Sequence, residues 1–283
     1  MQLFNTLNFI VNHPINRQKS STAIGRFLRW QLASRLSSEI SFEWIDGAVL
    51  IVRRGMRGAT GNIYCGLHEF VEMSFLLHLL RPGDLLVDVG ANIGSYTILA
   101  TKVCHANAVA FEPDPDAAKT LRRNILVNGV GHLTEVHEVA LGSFDGEVAL
   151  TLGLDTMNHV TAPGNQLART VPLKCLDDFS GAAHPTMIKL DVEGFEEEVL
   201  KGASRVLGSP ELLAVQSELL TPFIEKTLGA FGFEPIFYEP FERRLSRSSF
   251  GYKMSNTLFL RDEQAVAERV IAAPARDIFG KRI

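Results

Sequence analysis

Three short runs carry most of the chemistry available to this chain. The first is Asp88-Val89-Gly90-Ala91-Asn92-Ile93-Gly94, an acid leading into a glycine-rich turn. A turn without Cβ atoms lets a small molecule approach the backbone closely. The spacing is D-x-G-x-x-x-G. Dinucleotide-binding turns instead read G-x-G-x-x-G and seat a pyrophosphate on a helix N-terminus. An acid at the strand end would repel a pyrophosphate and suits an ammonium or sulfonium group; the plainer alternative is a structural turn. The second run is Phe111-Glu112-Pro113, 24 residues beyond Asp88. A carboxylate there can accept both hydroxyls of a ribose, and hydrogen bonds to a charged group contribute about 1.5–3 kcal/mol each. That geometry serves the adenosine of S-adenosylmethionine or of NAD. The third run is Met187-Ile188-Lys189-Leu190-Asp191. Period two sets Lys189 and Asp191 on one face of a strand. Two charges at the end of a central strand are costly unless paired or used. The alternatives are a structural ion pair and a site group near an acceptor hydroxyl or a methionine amine.

These residues need elements to hold them. Continuous apolar runs at Leu85–Val89, Ala108–Phe111, Glu135–Leu141, Met187–Val192 and Leu212–Glu218 alternate with helical segments, including Ser95–Val103 and Glu193–Lys201. Strands buried on both faces read this way, and the alternation predicts an α/β fold with a parallel sheet. Asp114-Pro115 opens a helix and Gly129 closes it. Glu147–Leu152 reads as an extra strand. Phe233–Tyr238 and Asn256–Leu260 lack a helix between them, so the sheet should end in an antiparallel pair. Upstream, a helix from about Ile24 to Leu36 precedes a hairpin turning at Asp46-Gly47. Leu67–Leu80 reads as an apolar helix stopped by Pro82-Gly83. The tip Arg26-Phe27-Leu28-Arg29-Trp30 could pack on the main domain or touch a membrane or partner.

Composition narrows the function. The chain of 283 residues is 46% apolar and 21% charged, which excludes disorder. A formal charge of −4 gives no basic excess for nucleic-acid binding. Cys65, Cys104 and Cys175 are too scattered for a disulfide framework or a metal knuckle. No run reaches the ~18 apolar residues of a membrane span, and the N-terminus lacks the features of a secretory signal. A cytoplasmic protein without an integral membrane segment is expected. His68, His78, Asp191 and Glu218 show no metal-ligand spacing, so metal-independent chemistry is expected.

The stretch "LLVDVGANIGSYTILA" resembles the cofactor motif of S-adenosylmethionine-dependent methyltransferases. With "FEPDPDAAKTLRRNILVNGV", "VPLKCLDDF" and above all "IKLDVEGFEEEVLKGA", the chain resembles the FkbM family, from about Asn62 to Leu260. The resemblance implies a class I methyltransferase fold: a seven-stranded, mostly parallel Rossmann-like sheet with a terminal antiparallel hairpin. The chain is expected to divide into an N-terminal extension over 1–65 (helix and β-hairpin packed on the core), a methyltransferase domain over 66–262, and a C-terminal helix and tail over 263–283, with residues 1–55 outside the resemblance. The resemblance also implies O-methylation of a hydroxyl on a sugar, glycan or secondary metabolite. Carried onto this sequence, Asp88, Gly90, Asn92 and Gly94 would hold the methionine end, with Asp191 beside it. Glu112 would hold the ribose, and Glu138, Val139 and Ala140 would lie along the adenine. As general base, Asp191 comes first, then His159 in a polar stretch, then Glu218. His68 and Glu69 could line the acceptor pocket, although a helix surface is the plainer place for them. The competing functions are an NAD-dependent oxidoreductase, disfavoured by the glycine spacing, and a non-catalytic binding module.

Overall fold

The computed structural model describes residues 2–151, 160–161, 168–252 and 254–283. The chain begins with helices α1 (Gln2–Asn12) and α2 (Ser20–Leu36), then a hairpin of β1 (Ile40–Glu43) and β2 (Val49–Val52). Asp46 and Gly47 turn the hairpin with φ of 48° and 76°, the left-handed values such a turn requires. Helices α3 (Arg57–Cys65) and α4 (Phe70–Leu79) follow. The single helix expected over Leu67–Leu80 is thus shorter and has a separate neighbour. Gly66 divides the two at φ +82°, where an added Cβ would lie 2.4 Å from Ile278.

The central sheet contains β3 (Leu85–Val89), β4 (Asn107–Phe111), β5 (Thr134–His137), β10 (Met187–Leu190), β11 (Ala214–Ser217), β12 (Glu234–Glu239), β13 (Arg244–Ser246) and β14 (Thr257–Leu260). Their order is β13-β12-β14-β11-β10-β3-β4-β5. Strands β3, β4, β5, β10 and β11 run parallel; β14 pairs antiparallel with both β11 and β12. This is the class I methyltransferase architecture with its antiparallel end. The expected seven strands become eight because Arg244–Ser246 adds a short edge to β12. Its three residues are too few and too polar to register as a strand in sequence.

Alternate strand residues feed two cores. Leu86, Ala108, Met187 and Ala214 face a layer containing α1, α2, α4 and α10 (Glu263–Ile271), through Ile10, Phe27, Trp30, Leu76 and Val266. Val87, Val109, Ile188 and Val215 face α7 (Glu196–Lys201), α8 (Ser204–Leu207) and α9 (Pro222–Ala230), through Val199, Val206 and Ile224. Side chains alternate across a strand, so every central strand is buried on both faces. The N-terminal helices share the first of these cores with the sheet.

The expected strand Glu135–Leu141 breaks in two: β5 stays in the main sheet and β6 (Ala140–Leu141) leaves it. β6 joins a second sheet with β7 (Gly146–Thr151), β8 (Val160–Thr161) and β9 (Ala168–Lys174), in the order β6-β9-β7-β8. β7 was legible as a separate strand and β6 as the end of Glu135–Leu141; Pro172 and the polar start of β9 mask that strand. Helices α5 (Ser95–Ile98), continued by a wider turn over Leu99–Val103, and α6 (Pro115–Asn128) flank the sheet. Asp114 caps α6 by accepting from the N–H groups of Asp116 and Ala117, and Gly129 ends it at φ +68°. The tail pairs β15 (Asp277–Ile278) with β16 (Lys281–Arg282) and buries Ile278 and Ile283.

Candidate active site

A cavity of about 300 Å³ opens beyond the carboxyl ends of β3, β4, β10 and β11. That is where open α/β sheets bind ligands. Its first wall is the turn after β3. Gly90 and Ala91 donate their N–H groups to the Phe111 carbonyl at 2.9 and 3.0 Å, which ties the turn to β4. Gly90 has φ +76°, and a Cβ there would sit 1.9 Å from the Asp191 carbonyl oxygen. Glycine is therefore required by both backbone conformation and space. Asn92 also takes a positive φ, 51°, and its Oδ1 accepts from the Ile93 N–H at 2.7 Å. A short polar side chain tolerates that region by bonding locally.

Glu112 faces the cavity from the end of β4. Its Oε2 accepts from the Asn92 N–H at 2.7 Å and its Oε1 from the Asp114 N–H at 2.8 Å. Both oxygens are thereby oriented, and each keeps acceptor capacity. Burial raises its pKa to about 7, against the two N–H groups that favour the anion. Phe111, Val139, Ala140, Leu141 and Leu150 supply an apolar wall beside it.

The opposite wall is charged. Lys189 is buried on β10, with Nζ 2.9 Å from Asp191 Oδ2, 3.8 Å from Asp88 Oδ1 and 4.8 Å from the Tyr96 ring centroid. Burial opposes its charge, but Asp191, Asp88 and Glu69 outweigh it and raise the pKa. Carboxylate oxygens of Asp191, Glu193 and Glu218 lie within 4.8 Å of one another. Burial, then Asp191, Glu193 and Glu196, raise the Glu218 pKa to about 7. The trio has the composition of a cation site, and Lys189 is the cation already set against one member. Around the rim, Glu69 accepts from the Tyr96 hydroxyl and, at 3.3 Å, from the Asn256 amide. Gln216 donates to the same Tyr96 hydroxyl at 3.0 Å.

Residues 88–254 match the family described as Methyltransferase FkbM domain. The chain belongs to the FkbM methyltransferase family. Two curated relatives carry names consistent with it. The hexuronic acid methyltransferase AglP of Haloferax volcanii is 32% identical over 145 residues, covering 50% of this chain and 59% of AglP. Methyltransferase 1 of Beauveria bassiana is 29% identical over 159 residues, covering 47% of this chain and 64% of that protein. The chain thus matches less than two thirds of either relative's length. Among solved structures, an RNA methyltransferase from Salinibacter ruber in complex with S-adenosyl-L-homocysteine has a TM-score of 0.37 at 17% identity, covering 69% of this chain and 92% of that one.

For a methyltransferase domain of this family the sequence resemblance implies S-adenosylmethionine as the methyl donor. The cavity suits that molecule: an oriented diol acceptor in Glu112, an apolar wall for a purine, and an anionic far side for a sulfonium and an ammonium. Of the residues singled out from sequence, Gly90, Asn92, Glu112, Val139, Asp191 and Glu218 line the cavity. Gly94 supports the turn from outside that lining: at φ +90°, its Cβ position is 2.4 Å from Leu121. Asp88 and Glu138 are placed otherwise. Asp88 is fully buried outside the lining; its Oδ2 accepts from the Thr97 hydroxyl at 2.6 Å and the Thr97 N–H at 3.1 Å, and burial raises its pKa. Glu138 is exposed and paired with Arg122. His159 lies outside the described residues. His68 and Glu69 line the cavity rather than an outer helix surface.

Sequence reasoning missed Tyr96, Asn256 and Glu72. Glu72 is buried on α4, and its Oε1 accepts from the N–H groups of Ser255 and Asn256 at 2.6 and 2.9 Å. Burial, then Glu69, raises its pKa to about 7. It clamps the Ser255-Asn256 segment that forms part of the rim. An acid inside the mostly apolar run Phe70–Leu80 was the available signal.

Proposed function

We propose that this methyltransferase methylates a hydroxyl on a sugar, glycan or secondary metabolite. One observation carries the reading: a diol-accepting carboxylate, Glu112, and a separate carboxylate group, Asp191, Glu193 and Glu218, open on the same cavity. When bound, S-adenosylmethionine supplies a methyl group made electrophilic by its cationic sulfur. Glu112 and the Gly90–Asn92 turn hold the nucleoside end, a change from the methionine end expected for the turn, because the Asn92 N–H bonds to Glu112; the Val139 wall covers the purine. The far wall must then align an oxygen nucleophile, a contribution of about 7–11 kcal/mol when the geometry is good. Removing the hydroxyl proton adds a further ~10²–10⁴-fold.

Glu218 suits the proton-accepting role better than Asp191. Its Oε2 is buried, and burial with the neighbouring Asp191 carboxylate raises its pKa to about 7, the working range of a general base. Asp191 has one oxygen engaged by Lys189 at 2.9 Å. The hydroxyl proton passes to Glu218 Oε2, while Lys189 and Asp191 hold the wall that faces it. The hexuronic acid in the name of the Haloferax relative supports a sugar acceptor. A free carboxylate on that sugar would meet three acids here, so a neutral or amine-bearing hydroxyl compound fits this wall better.

The test is transfer of labelled methyl from S-adenosylmethionine to a panel of neutral, amine-bearing and acidic hydroxyl compounds. Neutral or amine-bearing acceptors should be labelled and uronic acids should not. Labelling of uronic acids alone would overturn the acceptor reading. Calorimetric binding of NAD in preference to S-adenosylmethionine would overturn the reading as a whole.

A further inference from the structure

Helix α2 has two opposite faces. At roughly 100° per residue, Ala23, Phe27, Trp30 and Ser34 share one side, and all four are buried. Arg26 is also engaged: it donates to the Tyr64 carbonyl and the Asn16 amide oxygen and lies over the Phe279 ring. The sequence tip Arg26–Trp30 therefore packs inward except at Leu28 and Arg29. The other side carries Leu28, Leu32 and Leu36, which are 55%, 66% and 90% exposed. Spaced four apart, they span an arc of about 80°. Exposed Arg35 borders that arc on one edge and exposed Arg29 on the other, each about 20° away.

Charge gives this stripe a direction. Of 28 Lys and Arg against 32 Asp and Glu, the first 38 residues hold five basic residues (Arg17, Lys19, Arg26, Arg29, Arg35) and no acid. The remainder holds 23 against 32. The next acid, Glu39, is already paired with Arg53 and Arg123. Arg29 and Arg35 take part in no ion pair among the described residues. An acidic protein has thus gathered an acid-free basic segment around a row of exposed leucines. An in-plane amphipathic helix binds anionic bilayers with this composition: apolar side chains enter the headgroup boundary, and flanking cations meet lipid phosphates and carboxylates. A second copy fits less well. A two-fold contact sets each patch against itself, so Arg29 and Arg35 would face their own kind with no acid to neutralise them. No described helix is long and apolar enough to cross a membrane, so the contact is with its surface.

We propose that the Leu28-Leu32-Leu36 stripe of α2, with Arg29 and Arg35, docks this protein on an anionic lipid surface. On its buried side α2 packs with α3, whose Gly58 and Ala59 line the cavity. The inference stands independently of the acceptor's identity.

The test is co-sedimentation of the full chain with vesicles of phosphatidylcholine alone or mixed with phosphatidylserine. Binding should require phosphatidylserine and weaken in high salt. The triple change Leu28→Ser, Leu32→Ser, Leu36→Ser should lower partitioning at least ~10-fold, as should Arg29→Glu with Arg35→Glu. The charge variant repeats the test without altering an apolar side chain. Equal binding to neutral vesicles, no binding, or partitioning untouched by both variants would overturn the proposal. So would a wild-type dimer in sedimentation velocity that the leucine changes abolish, because a second copy would then cover the face.

Discussion

The two walls of the cavity are built in different ways. The nucleoside wall is local: Gly90 to Asn92 and Glu112 come from two adjacent strand ends, joined by hydrogen bonds from Gly90, Ala91 and Asn92. The acceptor wall is assembled from α3, α4, β10, β11 and the Ser255-Asn256 segment, and is held by charge: Lys189 between Asp88 and Asp191, and Glu72 beneath the rim. Backbone bonds from Gly90 and Ala91 to the Phe111 carbonyl fix the turn of the first wall whatever the protonation state. The second wall depends on which of its acids are ionised. A binding half common to a fold and an acceptor half particular to a substrate are expected to diverge in this way, because only the second must change when the substrate changes.

The comparison breaks most readily at Asp88, which belongs to the first motif by sequence and to the charged cluster by contact. Asp88→Ala should cost about 3–5 kcal/mol of stability, because it removes one partner of a buried ammonium. For a chain of this size that is a fall of roughly 10 °C in melting temperature. Cofactor affinity of the folded fraction should change far less, since Asp88 does not line the cavity. An unchanged melting curve with a large loss of affinity would move Asp88 into the nucleoside wall. Next in size is Glu218→Gln. It keeps the shape of the acceptor wall but cannot take a proton, so kcat should fall ~10²–10⁴-fold with cofactor affinity preserved. A variant with wild-type kcat would exclude Glu218 as the base.

What could be read from the sequence follows the same division. The sheet, its antiparallel end, the glycine turn and Glu112 were legible because each is short, contiguous and written in period or spacing. Gly90 is a clear case: its requirement comes from Asp191 more than a hundred residues away, yet the turn advertises it locally. Asp88 was assigned to the methionine end because it neighbours Gly90 in sequence. Side chains alternate along a strand, and its carboxylate points instead to Thr97 and Lys189. Tyr96 and Asn256 were illegible because their roles exist only once α4, α5 and the start of β14 converge, and Glu72 was marked only as an acid in an apolar run. The second sheet was missed for a related reason: β6 pairs parallel with β9, and no local pattern announces that pairing.

Smaller effects sharpen the contrast. Glu112→Ala should weaken S-adenosylmethionine binding at least tenfold, about 1.4 kcal/mol, and leave the melting temperature nearly unchanged; equal affinity would remove the ribose role. The same carboxylate sets a pH dependence. Its pKa in the free protein is raised to about 7 by burial, and the anion is the form that accepts two hydroxyls. Affinity should therefore be constant above that pH and fall below it, approaching tenfold per unit. Glu112→Gln should flatten the profile. Stability of the free protein runs the other way. Glu72 is raised from 4.5 to about 7, so its folded state binds the proton more tightly than the unfolded chain. Its contribution is complete below about 4.5 and is lost as pH rises through 7. Calorimetric melting across that window should show Glu72→Gln removing part of the slope.

The least effect is expected at Glu138, which tests whether the nucleoside wall ends where the geometry ends it. Position alone, at the end of the third parallel strand, would set this acid along the adenine. In the folded chain Val139 turns into the cavity while Glu138 is exposed and pairs with Arg122 on α6. An exposed ion pair of this kind is screened by solvent and salt. Glu138→Ala should therefore change cofactor affinity less than about twofold. Val139→Asp, one position on, should weaken it at least ~10-fold by placing an unpaired charge against the apolar wall. If the two results were reversed, the strand end would have to rotate when the nucleoside binds, and the nucleoside wall would share the adaptability assigned here to the acceptor side.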